Sequence, residues 1–234
     1  MNSLKYKNIV EGEFISRPNR FIAHIKIDKK IEICHVRNTG RCKELLTKGA
    51  TVYLEHSDNP NRKTAYSLIS VKKGHRLINI DSQAPNKVLH EGLLNKTILL
   101  PNFEEIAEIR PERVYQKSRF DFYIENKNKK AFIEVKGVTL EEDGVVKFPD
   151  APTARGLKHV YELVQALEDG YMAYIVFVIQ MNNVKYFTSN NRTQKEFGEA
   201  LQYAQNKGVQ VLAYESDVER DSLKLNGVAV KVVR

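Results

Sequence analysis

Apolar and polar residues alternate in short runs over the first third of the chain. Phe21–Ile27, Ile31–Val36, Thr51–His56 and Ala65–Val71 each carry the two-residue period of a half-buried strand. Turn formers separate them at Arg17-Pro18-Asn19, Asp28-Lys29-Lys30, Asn38-Thr39-Gly40, Lys48-Gly49 and Asp58-Asn59-Pro60-Asn61. About five strands with no helical period between Glu13 and Asp81 predict a small β-barrel. An OB-like barrel fits this strand number, and an SH3-like barrel fits it nearly as well.

The pattern changes after Asp81-Ser82-Gln83-Ala84-Pro85-Asn86, a run of turn chemistry that divides the chain into residues 1–82 and 83–234. Asn86 is the expected N-cap of a helix reaching about Lys96. Strands are expected at 118–125 and 131–137. Leu157, Val160, Tyr161, Val164 and Leu167 then recur at helical spacing, and the buried strand Tyr171–Gln180 follows. A further helix over 193–207 ends at Gly208 and leads into a strand at Val209–Tyr214. Strands and helices in this alternation predict an α/β domain, a sheet flanked by helices.

Composition excludes several classes. With 42% hydrophobic and 28% charged residues in 234, the chain is neither disordered nor collagenous, and it can bury a core without disulfides or a structural metal. Its opening, MNSLKYKNIVEG, lacks the apolar stretch of a secretion signal, and the longest nearly apolar run, Tyr171–Met181, is too short to span a bilayer. A cytoplasmic protein without a membrane partner is expected. Cys34 and Cys42 match no zinc spacing and read as reduced thiols.

Charge adds a partner. The net charge is +8, but residues 1–80 hold 16 Lys and Arg against 7 Asp and Glu, whereas residues 81–234 hold 21 against 22. The whole excess lies in the barrel segment, where it favours phosphate backbones over a merely solvated surface. Arg17, Arg20, Arg37, Arg41, Arg62 and Lys63 are the expected phosphate contacts, with Phe21 or Tyr66 available for base stacking.

The sharpest chemistry lies in residues 118–137. If Asn126–Lys129 makes a turn, Glu125 faces Lys130 and Asp121 faces Glu134, which sets two carboxylates on one face about 5 Å apart. Among aromatic and β-branched neighbours such a pair is costly unless a cation neutralises it. Mg²⁺ or Mn²⁺ takes carboxylate, carbonyl and water oxygens, and Lys136 on the same face can steady a phosphoryl oxygen. The plainer alternative is an ion pair of Lys136 with Asp121 or Glu134. Glu91 on the preceding helix is a candidate third carboxylate. Lys158, His159, Glu162 and Gln165 form the polar side of the later helix, where His159 and Glu162 are expected to pair. Gln180 ends an apolar strand and needs a partner or a site.

Arg20-Phe21, Asn38-Thr39-Gly40, Asn59-Pro60-x-Arg62-Lys63, Ser118–Phe122, Glu134-Val135-Lys136-x-Val138-Thr139-Leu140, Phe148-Pro149-Asp150-Ala151 and Arg155-Gly156-x-Lys158-His159 together resemble the SfsA (sugar fermentation stimulation protein) family over nearly the whole chain. The resemblance implies an N-terminal OB-like barrel joined to a restriction-endonuclease-like PD-(D/E)xK domain. It also implies non-specific DNA binding linked to sugar (maltose) metabolism. Carried over by position, Asp121, Glu134 and Lys136 fill the nuclease motif and Glu91 the accompanying helix acid. Arg119, Arg155, Lys158, His159 and Gln180 surround that site, and Asn38, in a shared barrel loop, joins the expected nucleic-acid contacts. The family's Asn-Thr-Gly-Ser-Met is here Asn38-Thr39-Gly40-Arg41-Cys42, which adds a cation to that loop.

Two readings follow. In the first, the barrel grips DNA while Asp121, Glu134, the Val135 carbonyl and Glu91 hold Mg²⁺ or Mn²⁺ and Lys136 orients the attacking water, giving a metal-dependent deoxyribonuclease. In the second, the nuclease fold is only a scaffold for a DNA-binding regulatory protein.

Overall fold

A computed structural model describes residues 4–38 and 40–233; Thr39 of the expected loop motif lies outside the described residues. The chain starts with a two-residue strand, β1 (Leu4–Lys5), followed by β2 (Ile9–Ser16), β3 (Ile22–Ile27), β4 (Lys30–Val36), β5 (Thr51–His56), β6 (Tyr66–Lys73) and β7 (Arg76–Asn79). β2 to β7 form one sheet in the order β4-β3-β2-β5-β6-β7, and a parallel pairing of β4 with β6 closes five of its strands into a barrel. The alternation read in the sequence explains the closure. Ala23, Ile25, Cys34, Val36, Val52, Leu54, Leu68 and Val71 all point inward and are buried.

The second unit contains α1 (Ala84–Leu94), β8 (Glu108–Tyr115), β9 (Ser118–Glu125), β10 (Lys130–Val138), β11 (Leu140–Glu142) and β12 (Val145–Phe148). It continues with α2 (Ala154–Glu168), β13 (Met172–Ile179), β14 (Tyr186–Ser189), α3 (Lys195–Lys207), β15 (Gln210–Val218), β16 (Ser222–Ala229) and β17 (Val232–Val233). The main sheet runs β1-β16-β15-β13-β10-β9-β8, with β10, β13 and β15 parallel at its centre. A small sheet, β11-β12-β14-β17, flanks it. α1 covers one face with Ala84, Val88, Leu89 and Leu93 against Ile133, Val135 and Val176. α2 and α3 pack on the other, whose core is continuous with the barrel interior.

Four local expectations are corrected. β1 pairs with β16, so the first strand belongs to the main sheet although it precedes the barrel. Helix α1 starts at Ala84, with Pro85 in its first turn where a missing N–H costs nothing, and it ends at Leu94 rather than Lys96. Asn86 is therefore inside the helix and does not cap it. Helix α3 begins at Lys195, two residues later than expected.

A buried polar joint fixes the two units against each other. Gln180 Nε2 donates to Asn79 Oδ1 at 2.9 Å and to the Asp81 carbonyl at 3.0 Å, and Asn79 Nδ2 donates to the Tyr6 hydroxyl at 3.0 Å. Arg37 reaches Asp81 at 3.3 Å and Glu55 at 3.1 Å. Glu141 receives Lys73 at 2.7 Å and Arg76 at 2.8 Å. A Cβ on Gly137 would sit 2.5 Å from Gln180 Oε1, so the strand holding the carboxylates passes the joint with no room to spare. Replacing Gln180 with Leu should cost about 0.5–1.5 kcal/mol for each of the two hydrogen bonds lost, since Asn79 Oδ1 and the Asp81 carbonyl each keep a backbone donor. The check is a fall in the urea midpoint with an unchanged m-value.

Candidate metal and nucleic-acid site

The β9–β10 hairpin has the predicted register. Lys130 faces Glu125 and Ile133 faces Phe122, a ladder whose next step brings Glu134 to Asp121. The regular pairing stops there because a side chain takes over: Asp121 Oδ2 accepts the Val135 N–H at 2.7 Å. The strand departs from strict alternation at this step. Phe120 packs on the α2 side, against Phe132 at 5.1 Å and His159 at 5.9 Å between ring centroids, while Phe122 and Ile124 face α1.

Asp121 Oδ1 accepts from Asn86 Nδ2 at 2.8 Å. Asn86 is thus the α1 residue that reaches the pair. Glu91 is partly exposed and makes no hydrogen bond or ion pair with Asp121, Glu134 or Lys136 among the described residues, which hold no group of three acidic, His or Cys side chains able to bind a metal. Burial and the neighbouring Glu134 charge push the Asp121 carboxyl above its usual range.

Glu134 is 3% exposed. Its Oε1 takes His159 Nδ1 at 2.5 Å and the Lys136 ammonium. Burial alone would raise this carboxyl, but the His159 hydrogen bond and the Lys136 charge outweigh it and hold it below the ordinary value. With an ionised acceptor, His159 donates through Nδ1–H. His159 was expected to pair with Glu162 along α2; instead Glu162 meets Lys158 at 3.5 Å. The buried carboxylate has the greater need of a donor. The Lys136–Glu134 ion pair of the plainer reading is present, but it uses one oxygen only. Among the described residues, Glu134 Oε2 is buried without any partner.

That orphaned oxygen is what a cation site requires. Two carboxylates, the Val135 carbonyl and water are hard oxygen donors suited to Mg²⁺ or Mn²⁺, and a bound cation would supply the missing partner of Oε2 and relieve the repulsion at Asp121.

Among the surrounding residues, only His159 touches the carboxylates. Lys158 donates to Ser118 Oγ at 2.9 Å, exposed Arg119 pairs with Glu112 at 2.8 Å, and Arg155 is exposed at the start of α2. Gln180 serves the joint.

The expected phosphate contacts divide. Arg17 donates to four backbone carbonyls, of Arg20, Asn38, Gly40 and Arg41, and so shapes the loop. Arg37 is held by Asp81 and Glu55, and Asn38 by the Ile80 carbonyl and the Gly40 N–H. Arg62 donates to Ser67 Oγ at 2.8 Å, and Lys63, next in the chain, is exposed. Arg20 and Arg41 are exposed and line a cleft of about 1080 Å³ between the barrel and the second unit. Lys43, Lys48 and Lys147 line it too. Lys43 and Lys48 follow Arg41 in one loop, a clustering visible in the sequence, whereas Lys147 lies on β12 and joins them only in the fold. Cys34 and Cys42 are buried and free, and burial pushes both thiols up to about 12.

Residues 83–222 match the family described as sugar fermentation stimulation protein RE domain, and residues 15–80 match the SfsA N-terminal OB domain. The sugar fermentation stimulation protein homolog of Clostridium beijerinckii is 55% identical over 222 residues, 95% of this chain and 96% of that protein. Its counterpart in Desulfitobacterium hafniense is 54% identical over 231 residues, 98% and 99% of the two chains. The solved structure of Pyrococcus furiosus SfsA in complex with Ca²⁺ superposes over 100% of both chains with a TM-score of 0.89 at 28% identity. The barrel is accordingly an OB domain, which settles the choice against an SH3-like barrel.

Opposed shifts at the two acids make a stability prediction for metal-free protein. Glu134, depressed, stabilises the fold above its unfolded value of about 4.3, and that contribution is lost as the pH drops through its lower folded value. Asp121, raised, works the other way, destabilising the fold as the pH rises past its unfolded value of about 3.9. Asp121→Asn should therefore raise the melting temperature at neutral pH, and the gain should shrink in acid. Calorimetry across pH checks both signs.

Proposed function

The chain belongs to the sugar fermentation stimulation protein (SfsA) family, and from that premise we propose that it binds DNA and hydrolyses its phosphodiesters at a divalent-metal centre. The observation that carries the reading is the buried, unpartnered Glu134 Oε2 beside a half-buried second carboxylate, Asp121. Perturbed acids with a specific charge partner cluster at functional sites. The Ca²⁺ complex of the Pyrococcus furiosus relative supports divalent-ion binding on this fold. The basic barrel supports a nucleic-acid partner.

Asp121, Glu134 and the Val135 carbonyl would hold the ion. When bound, a divalent cation supplies Lewis-acid polarisation of a phosphoryl oxygen and neutralises charge that develops during displacement. The chain's own groups do the rest. His159 and Asn86 keep the two carboxylates from turning away. The Lys136 ammonium shares Glu134 Oε1 in the resting site and would orient an attacking water or contact a scissile phosphate. Lys158 and Arg155, on the exposed side of α2, add positive potential near it.

A regulatory role without catalysis is the second reading, and the names of the relatives, which speak of sugar fermentation, favour keeping it. Cleavage of labelled single- and double-stranded DNA in EDTA, Mg²⁺ or Mn²⁺ decides between them. Metal-dependent cleavage that drops by about 10²–10⁴ in Lys136→Met, and disappears in Glu134→Ala while DNA affinity is retained, is the expected result. Binding with no cleavage in any metal would leave only the regulatory role.

A further inference from the structure

The cleft between the OB barrel and the second unit is more than a seam. Its wall carries six Lys and Arg side chains against a single acid, Asp150. Two of these cations are engaged: Arg17 is committed to backbone carbonyls, and Lys147 is paired with Glu142. The other four, Arg20, Arg41, Lys43 and Lys48, are exposed and make no side-chain hydrogen bond or ion pair among the described residues. Four unpaired cations on one concave wall, with one carboxylate opposite, favour a chain of phosphates. The N-terminal end of α2, at Thr153, opens on the same space and adds positive potential.

The remainder of the lining argues for one strand rather than two. Half-buried Phe148 and exposed Pro152 also line the cleft, while the other apolar lining residues, Phe14, Leu46 and Leu140, are buried. A duplex presents only phosphate and sugar to a groove wall, whereas a single strand also offers base faces to apolar and aromatic side chains. The walls are also pinned together. Asp150 Oδ2 accepts the Arg41 N–H at 2.9 Å across the cleft, and a Cβ on Gly40 would lie 2.3 Å from the same carboxylate, so the barrel loop is locked against the opposite wall. Gly137 and Gln180 also line the cleft, and Gly137 directly follows Lys136 in β10.

We propose that this interdomain cleft is the path of a single DNA strand, whose phosphates lie on Arg20, Arg41, Lys43 and Lys48 as it runs toward the Asp121–Glu134 pair. The inference deepens the nuclease reading and rests on it for the direction of the strand, but binding in the cleft needs neither metal nor cleavage. Strand separation then becomes a condition for reaching the carboxylates, and duplex ends or single-stranded regions are the preferred substrates.

The test is fluorescence anisotropy in EDTA with a labelled oligothymidylate of roughly ten nucleotides, within the range one OB fold covers. The wild-type chain is compared with Arg20→Ala/Arg41→Ala/Lys43→Ala/Lys48→Ala. A control, Lys29→Ala/Lys30→Ala/Lys127→Ala/Lys130→Ala, removes equal charge from exposed positions outside the cleft. Each phosphate contact removed from a single strand lowers the slope of log affinity against log salt by about 0.7, so the cleft variant should lose nearly 3 in slope and the control almost none. Blunt duplex should bind more weakly than the single strand. Equal losses in cleft variant and control, an unchanged cleft variant, or displacement of the strand by thymidine monophosphate at equal phosphate concentration would each overturn the proposal. If no metal supports cleavage yet the cleft variant loses binding, the catalytic reading fails and the cleft stands; if cleavage occurs and the cleft variant binds normally, the reverse holds.

Discussion

A carboxylate that has lost water must be surrounded by donors, and the site is organised around that demand at Glu134. Lys136 and His159 answer it at Oε1, which requires β10 to carry a Lys two residues on and α2 to present His159 inward. Phe120 leaves the strand alternation to stack an edge against that imidazole. Asp121 is drawn in by the Val135 N–H and by Asn86, ending the β9–β10 ladder. Both faces of the sheet thus contribute to one charge cluster, through Asn86 of α1 and His159 of α2. The second oxygen of Glu134 is left over. A fold selected only for stability has no reason to bury a carboxylate so incompletely, since an apolar residue of similar size would serve at least as well.

The joint between barrel and sheet has a comparable logic. Asn79, Asp81, Gln180 and Arg37 form a satisfied polar network where the parallel strands end, at the carboxyl edge where open α/β sheets place their ligands. A satisfied network of this kind is rigid, and it holds the cleft walls at a set distance. It also explains why conspicuous sequence features proved structural. Gln180 had to find a partner, and the partner is the barrel. Arg37 and Arg17, which read as phosphate contacts, are used to fasten the joint and its loop.

Much of this was legible in the sequence because it rests on local rules. Period-two alternation gave the barrel strands, and the Asn126–Lys129 turn gave the hairpin register that sets Glu134 toward Asp121. Long-range features were not legible. The pairing of β1 with β16 joins residues separated by nearly the whole chain, and two strand residues leave no periodic signal. Asn86 followed turn chemistry and so looked like a cap, but its hydrogen bond is to a residue on another element, which no local spacing encodes. His159 could be matched to Glu162 by helical offset alone; that Glu134 outcompetes Glu162 is a consequence of burial. Cations follow the same rule: charge counts locate the basic third of the chain, while only tertiary pairing separates Arg20 and Arg41 from Arg17 and Arg37.

The central claim is that the Asp121–Glu134 pair is a divalent-cation site completed by the unpartnered Glu134 oxygen. Titration of the metal-free protein with Mn²⁺ by calorimetry, in parallel with Glu134→Gln, tests it without reference to substrate or turnover. One ion per wild-type chain, with binding lost or weakened at least about tenfold in the variant, a difference of about 1.4 kcal/mol, is the predicted result. Equal binding by both proteins, or none by the wild type at millimolar Mn²⁺, would contradict the account.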